Sequence, residues 1–356
     1  MKVFSAFTGV GGFELGLSPD WEVIGQSEVD KNANKVLRYR FPKVKNYGDI
    51  EKIDYGEIPD FDVLVGGSPC QDLSLAGKRK GLVGSKSRLF YSYVSILKEK
   101  HPRYFIFENV AGLLSSNHGW DFAEVVSQFS EAGYALWWQV LDAKDFGVPQ
   151  HRERVFVLGS LGEGGLRKVF LEARDGEADN GVQGQESNTI TRRYRQSQAT
   201  GTYIVSKTVT GSYRTRQIDD GNFIVEGQFD AQKEIERIIV HSMMPRNGDP
   251  AIGGTGHLAK ELPYARTIDR NNGQAIELDG RIRYLTPLEC ERLMGWPDNW
   301  TRWGIDEKGE VAELSDNVRY NLIGNGVVPQ VVYAVIDKIM TDDNPDATIA
   351  MMEAAY

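Results

Sequence analysis

The sequence predicts an α/β protein: a doubly wound domain joined to a second, smaller β-rich domain. Three observations predict it. Short apolar runs alternate with helix-length amphipathic segments over about the first 160 residues, the pattern of a sheet covered by helices on both faces. The first apolar run ends in a glycine turn and the second in a carboxylate, as in a mononucleotide-binding βαβ unit. Beyond Asn188 the chain turns to short alternations of Thr, Val, Ile and Tyr, which suit strands.

In order, Val3 to Phe7 reads as a strand, Thr8-Gly9-Val10-Gly11-Gly12 as a turn, and Phe13 to Leu17 as the start of a helix. Trp21 to Glu28 is the second strand. The glycines let the backbone approach a ligand, and Glu28 is placed to accept from ribose hydroxyls. Taken alone, this unit leaves a nicotinamide or flavin enzyme open. Ala33 to Tyr39 reads as a helix, Asp62 to Val65 as a strand, Leu89 to Lys100 as an amphipathic helix, and Tyr104 to Phe107 as a strand ending in Glu108-Asn109-Val110. A helix over Phe122 to Glu131 and strands over Ala135 to Leu141 and Val155 to Leu158 follow.

Gly162 to Gly184, rich in glycine and acids, reads as a linker or long loop. A loose repeat then runs from Asn188-Thr189-Ile190-Thr191 to Tyr203-Ile204-Val205 and from Lys207-Thr208-Val209-Thr210 to Phe223-Ile224-Val225, with a fainter copy at Arg266 to Glu277. Thr286 as N-cap with Pro287 behind it starts a helix that stops at Gly295. Asn321 to Pro329 reads as a glycine-rich turn and Val331 to Met340 as the last helix. The expected domains are 1–164 plus 316–345, a β-rich domain with its supporting helix over 165–315, and a tail over 346–356.

Composition excludes several classes. The 356 residues, 41% of them hydrophobic, contain no apolar run long enough for a transmembrane helix. Two distant cysteines, Cys70 and Cys290, make neither a disulfide framework nor a zinc site, so no metal and a reducing cytoplasm are expected. A net charge of −9 argues against nucleic acid coating the whole surface. Two segments are nevertheless basic and free of acids: Gly77 to Arg88, and Ser187 to Gln217. They favour a polyanionic partner.

The stretch Val63-Leu64-Val65-Gly66-Gly67-Ser68-Pro69-Cys70-Gln71 is a buried strand that breaks into a tight turn. It presents Cys70 at the carboxyl edge of the sheet, where open α/β proteins bind ligands. Cys70 is therefore a candidate nucleophile, against the alternative of a small buried residue.

Together these fragments resemble the DNA cytosine-C5 methyltransferases. Phe7-Thr8-Gly9-Val10-Gly11-Gly12 looks like that family's methyl-donor loop, Gly67-Ser68-Pro69-Cys70-Gln71 like its nucleophile motif, and Glu108-Asn109-Val110 like its acid motif. Gln150-His151-Arg152-Glu153-Arg154 looks like its Gln-x-Arg-x-Arg motif, and Leu285 to Asp298 like the support for its recognition domain. Gly324-Asn325-Gly326-Val327-Val328-Pro329 is similar to its closing motif, with Gly326 where Ser or Ala is commoner.

The resemblance implies a Rossmann-like methyltransferase domain, S-adenosylmethionine as cofactor, double-stranded DNA as partner, a monomer, and a restriction–modification, orphan or phage setting in which a restriction endonuclease is a potential functional partner. The residues suit the chemistry. A Cys70 thiolate adding to cytosine C6 activates C5. Glu108, protonated, and Arg154 stabilise the charge that develops on the ring. Arg152 orients this array or holds a phosphate, and Gln71 and Asn325 order the water that removes the C5 proton. For the donor, the resemblance implies Phe7 against adenine, Gly9, Gly11 and Gly12 around the methionine part, Glu28 on ribose, Asp49 on the adenine amine beside Ile50, and Pro69, Leu89 and Asn325 completing the pocket. The base must be flipped out of the duplex. The basic run from Ser74 through Lys78, Arg79 and Lys80 to Arg88 is expected to close over it. Arg192, Arg193, Arg195, Arg214 and Arg216 are expected on DNA. Competing readings are a tRNA-directed cytosine methyltransferase, a nicotinamide or flavin oxidoreductase, and a catalytically dead DNA-binding protein.

Overall fold

In the computed structural model, which describes residues 1–68, 87–161, 215–217, 223–225, 239–244, 256–261, 264–270, 274–278 and 281–343, the central sheet grows around β1 (Lys2–Ala6). Its Val3, Phe4 and Ala6 have no exposed surface. β1 pairs in parallel with β2 (Glu22–Ser27) on one side and β3 (Val63–Gly66) on the other. β3 pairs in parallel with β4 (Tyr104–Val110). Beyond β4 the direction reverses: β6 (Glu153–Leu161) runs antiparallel to β4 and to its outer neighbour β5 (Tyr134–Asp142). The order is β2-β1-β3-β4-β6-β5.

The sheet is thus mixed, with β6 running against both of its neighbours. Only residues 143–152 join β5 to β6, holding one short 3-10 turn (Ala143–Phe146) and no crossover α-helix. A connection that short returns a strand antiparallel.

Alternation along the strands makes two cores. Val3, Val63, Val65, Ile106, Phe156 and Leu158 face one side, where α1 (Gly12–Leu15), α2 (Lys31–Arg40), α5 (Pro287–Leu293), α6 (Asp316–Gly324) and α7 (Pro329–Asp343) contribute Phe13, Val36, Cys290, Ile323 and Val332. Phe4, Leu64, Phe105, Phe107 and Val157 face the other, against Tyr93 and Leu97 of α3 (Ser87–Lys100) and Val125 and Phe129 of α4 (Trp120–Glu131). Cys290 has no exposed surface and burial pushes its thiol up to about 12, which makes it a core residue. Helix α5 starts where its sequence says it should. Thr286 Oγ1 accepts from the Glu289 N–H at 3.3 Å, and Glu289 Oε2 accepts from the Thr286 N–H at 2.8 Å, a reciprocal cap. The expected glycine-rich turn from Asn321 is shorter than predicted, because α6 continues to Gly324.

Short strands β7 (Thr215–Gln217) and β8 (Phe223–Val225) pair antiparallel. β9 (Ile239–Met244), β10 (Gly256–Glu261), β11 (Gln274–Leu278) and β12 (Arg281–Tyr284) form an antiparallel sheet in the order β10-β9-β11-β12. The predicted strand at 223–225 is β8. The expectations for 162–184, 188–205, 207–214 and the tail over 346–356 lie outside the described residues. β13 (Trp303–Ile305) and β14 (Val311–Glu313) make a hairpin, and Gly304 of β13 lies directly on Lys35 of α2.

Candidate active site

Parallel strands deliver their last residues to one edge of the sheet, so Phe7, Gly67 and the end of β4 arrive together. The reversal at β6 brings the start of that strand to the same edge. Val110 pairs with Arg154 in the antiparallel register, so Glu108 and Arg154 are diagonal neighbours on one face. Arg154 Nε lies 3.0 Å from Glu108 Oε1, and each side chain is 16% exposed. Burial raises the Glu108 pKa and outweighs the opposing pull of the Arg154 and Arg152 guanidiniums. The site thus holds a carboxyl that keeps its proton to higher pH than an ordinary glutamic acid.

The turn after β3 lies against this acid. A Cβ on Gly67 would stand 2.5 Å from the Glu108 carbonyl oxygen and 2.9 Å from its Oε2, so only glycine allows the approach. Asn109, 2% exposed, donates from Nδ2 to the Ser68 carbonyl at 3.3 Å while its Oδ1 accepts from the Val110 N–H. The motif pattern assigns Asn109 no role of its own. Its signal was its place in the acid motif, one residue past Glu108. Pro69, Cys70 and Gln71, next along the chain, lie outside the described residues, as do Ser74, Lys78, Arg79 and Lys80. Arg88 at the start of α3 is exposed, 3.8 Å from Glu51 Oε1. Arg192, Arg193, Arg195 and Arg214 also lie outside the described residues, and Arg216 is described only as backbone in β7.

Of the two roles expected for Arg152, its contacts favour the orienting one: its side chain is buried, 3% exposed, and its guanidinium donates to backbone carbonyls. Nη1 donates to Ile268 O at 3.1 Å, and Nη2 to Gly324 O at 3.2 Å and Gly326 O at 2.6 Å. Arg152 therefore ties the closing turn and the segment ahead of β11 to the catalytic sheet. Gln150, fully buried, adds two more ties, donating to Leu293 O at 2.8 Å and accepting from the Ile268 N–H at 3.0 Å. His151 pairs with Asp142 at 2.5 Å. Among the described residues Asp142, His151 and Glu153 bring ligand atoms within 4.8 Å of one another, but the Lys144 ammonium already sits 2.7 Å from Asp142.

The glycine loop after β1 has the features of a ligand cradle. Phe7 holds φ +55°, a left-handed backbone that costs an aromatic residue about 1–3 kcal/mol. Open space stands where a Cβ at Gly9 would be. Gly11, at φ +89°, leaves room for the Phe41 ring, and a Cβ on Gly12 would stand 2.9 Å from Val327 Cγ1. Glu28 Oε2 accepts from the Gly9 N–H at 2.7 Å, and Oε1 accepts from Val29 and Asp30 at 2.8 and 2.7 Å. Three acceptances leave a carboxylate with further lone-pair capacity, as a bound diol requires. Burial raises the Glu28 pKa against those N–H groups.

Trp300, unremarked in the sequence, supports the loop from behind by donating from Nε1 to Val10 O at 2.8 Å. Asp49 is half-buried and held below the usual carboxylate range by its hydrogen bond to Lys52, Ile50 is 3% exposed, and Leu89 is half-buried. Gly326 has a reason to depart from Ser or Ala: a Cβ there would enter the Trp296 ring, whose Nε1 donates to Val327 O at 3.0 Å.

These contacts tie the segments to one another in pairs. Gly12 meets Val327, Gly326 meets Arg152, Arg154 meets Glu108, and Glu108 meets Gly67, with Gln150 and Trp296 linking the 285–298 segment. Against known proteins, the family described as C-5 cytosine-specific DNA methylase matches residues 1–341. The chain belongs to that family. This methylase family takes its methyl group from S-adenosylmethionine, and the cradle around Gly9 and Glu28 fits such a donor. Type II methyltransferase M.SsoII of Shigella sonnei is 28% identical over 348 residues, 96% of this chain and 80% of the relative. M.BsuFI of Bacillus subtilis is 30% identical over 330 residues, 92% and 70%. The orphan methyltransferase M.Rho11sI of Bacillus phage rho11s is 44% identical over 164 residues, 45% of this chain; the match spans 33% of that relative, about a third of its length. The Dnmt2 methyltransferase of S. pombe shares the fold, with TM-score 0.61 and 18% identity over 97% of this chain and 99% of that one. Among the described residues no helix is long and apolar enough to cross a membrane.

Proposed function

We propose that this chain transfers a methyl group from S-adenosylmethionine to C5 of a cytosine flipped out of a specific double-stranded DNA sequence. The observation that carries the reading is the set of contacts that joins Gly12 to Val327, Arg152 to Gly326, Arg154 to Glu108 and Glu108 to Gly67. It supports one site built from all the family-like segments.

In that site the Cys70 thiolate, two residues beyond Ser68, adds to cytosine C6. The C5–C6 π pair shifts to C4–C5 and the C4–N3 π pair onto N3, where the protonated Glu108 carboxyl meets the charge. Arg154 donates to the base O2 and keeps Glu108 in place from 3.0 Å. The bound donor supplies an electrophilic methyl group to C5. A water ordered by Gln71 and Asn325 takes the C5 proton, the double bond re-forms, and the Cys70 sulfur leaves with its electron pair. Arg152 acts one layer below, by holding the Asn325 turn. Residues 1–164 with 316–345 form the catalytic domain. The smaller β-rich domain over 165–315 reads the target, with Arg192, Arg193, Arg195, Arg214 and Arg216 on DNA. The run from Ser74 to Arg88 closes over the flipped base. A cytoplasmic monomer, with a restriction endonuclease as functional partner, completes the reading.

Bisulfite sequencing of host DNA after expression of the chain tests it. Cytosines protected from conversion in one sequence context are expected. Full conversion, with methylation found only in tRNA or at adenine, would reject it.

A further inference from the structure

One charged side chain at the site belongs to no family-like segment. Arg270 lies in the stretch between β10 and β11, inside the region assigned above to target recognition. Its backbone rests on the closing turn: a Cβ on Gly324 would stand 2.5 Å from the Arg270 nitrogen. Its Nε donates to Asn325 Oδ1 at 2.6 Å. A guanidinium only donates, so this contact fixes which end of the Asn325 amide faces it. Asn325 Nδ2 must then point away. It donates to Asn321 Oδ1 at 3.3 Å and keeps a second N–H for the donor or the ordered water. Arg152, bonded to Ile268 O on one side and to Gly324 O and Gly326 O on the other, holds the two segments together from below. Arg270 is exposed, and among the described residues its terminal nitrogens have no acidic partner.

We infer that Arg270 is a positioning residue with two contacts: Nε orients Asn325, and the terminal nitrogens take a phosphate of the DNA strand that carries the target. Bound DNA then stiffens the amide that serves the donor side, so recognition and methyl transfer are coupled through one side chain. The inference rests on the reading of the chain as a DNA methyltransferase.

The test uses the full chain and plasmid DNA, with Arg270→Ala and Arg270→Lys. Arg270→Ala is expected to flatten the slope of log KM for DNA against log salt by about 0.9, the contribution of one phosphate contact. Arg270→Lys keeps the charge and should keep the slope. Both variants should lose about tenfold or more in kcat at saturating DNA, because a lysine cannot hold Asn325 and a phosphate with one planar fork. Unchanged melting temperatures show that the loss is not one of folding. An active parent with an Arg270→Ala variant of unaltered slope and kcat removes the Arg270 assignment alone, and so does full recovery of kcat by lysine. Variants that melt well below the parent would overturn it in favour of a purely structural role. A parent that methylates no plasmid cytosine takes down the function and this inference together.

Discussion

Asn109 Nδ2 donates to the Ser68 carbonyl at 3.3 Å, so the strand that carries the acid also holds the turn that leads to the nucleophile. Both residues are buried. Asn109→Ala is expected to lower kcat by about ten- to a hundredfold, the usual consequence of a misplaced reacting group. Donor binding should change by less than about threefold, measured by calorimetry with S-adenosylhomocysteine. Equal losses in both would make Asn109 a general structural residue.

Glu108 must give a hydrogen bond as a neutral acid, and burial works in that direction. Glu108→Gln is expected to slow single-turnover methylation by about 10² or more while DNA affinity stays within a few-fold. Because its pKa is raised, the parent should lose rate as pH rises through the Glu108 ionisation, and the glutamine variant should lack that limb. A variant defective only in DNA affinity would remove the acid from the mechanism.

Arg152 offers a different signature. Replacement by lysine leaves carbonyls of Ile268, Gly324 and Gly326 without their donor, at a cost of about 2 kcal/mol or more. A drop in denaturant midpoint with an unchanged salt dependence of DNA binding is expected. The opposite pattern would restore the phosphate role that the sequence had allowed it.

Glu14 sits beneath the glycine loop, 9% exposed, accepting from Gln26 Nε2 at 3.1 Å, with Oε2 bonded to no group. Desolvation raises its pKa to about 7. The native chain therefore keeps a proton that the unfolded chain releases near 4.5. The stabilisation is full below about pH 4.5 and is lost as pH rises through about 7, a change of about 3 kcal/mol. Unfolding titrations of the parent and Glu14→Gln should diverge from pH 5 to pH 8, with the parent losing stability relative to the variant. Parallel curves would contradict this.

Much of the fold was legible because apolar periodicity reports burial directly: the strands at 3–7, 21–28, 62–65 and 104–107 appear as β1 to β4 within a residue or a few. The antiparallel turn of β6 was not, since strand direction depends on connection length and packing, not on composition. The acid, the donor glycines and the two arginines were readable as motifs, yet a motif does not say which way a side chain points. Arg152 and Arg154 look equivalent in the sequence and differ in what they touch, one bonded to backbone carbonyls and the other to Glu108. Trp300 and Arg270 reach the site only through tertiary folding, across 290 and 55 residues of chain, and no local pattern marks them.

The central claim is covalent catalysis at Cys70 beside Glu108. It is tested most directly by incubating the protein and S-adenosylmethionine with duplex DNA that carries 5-fluorocytosine at the methylated position. Fluorine cannot leave as the proton does, so a donor-dependent protein–DNA adduct is expected, with mass spectrometry placing the base on Cys70 and Cys70→Ala forming none. An adduct at another residue, or methylation of ordinary cytosine by Cys70→Ala at an appreciable rate, would contradict the account.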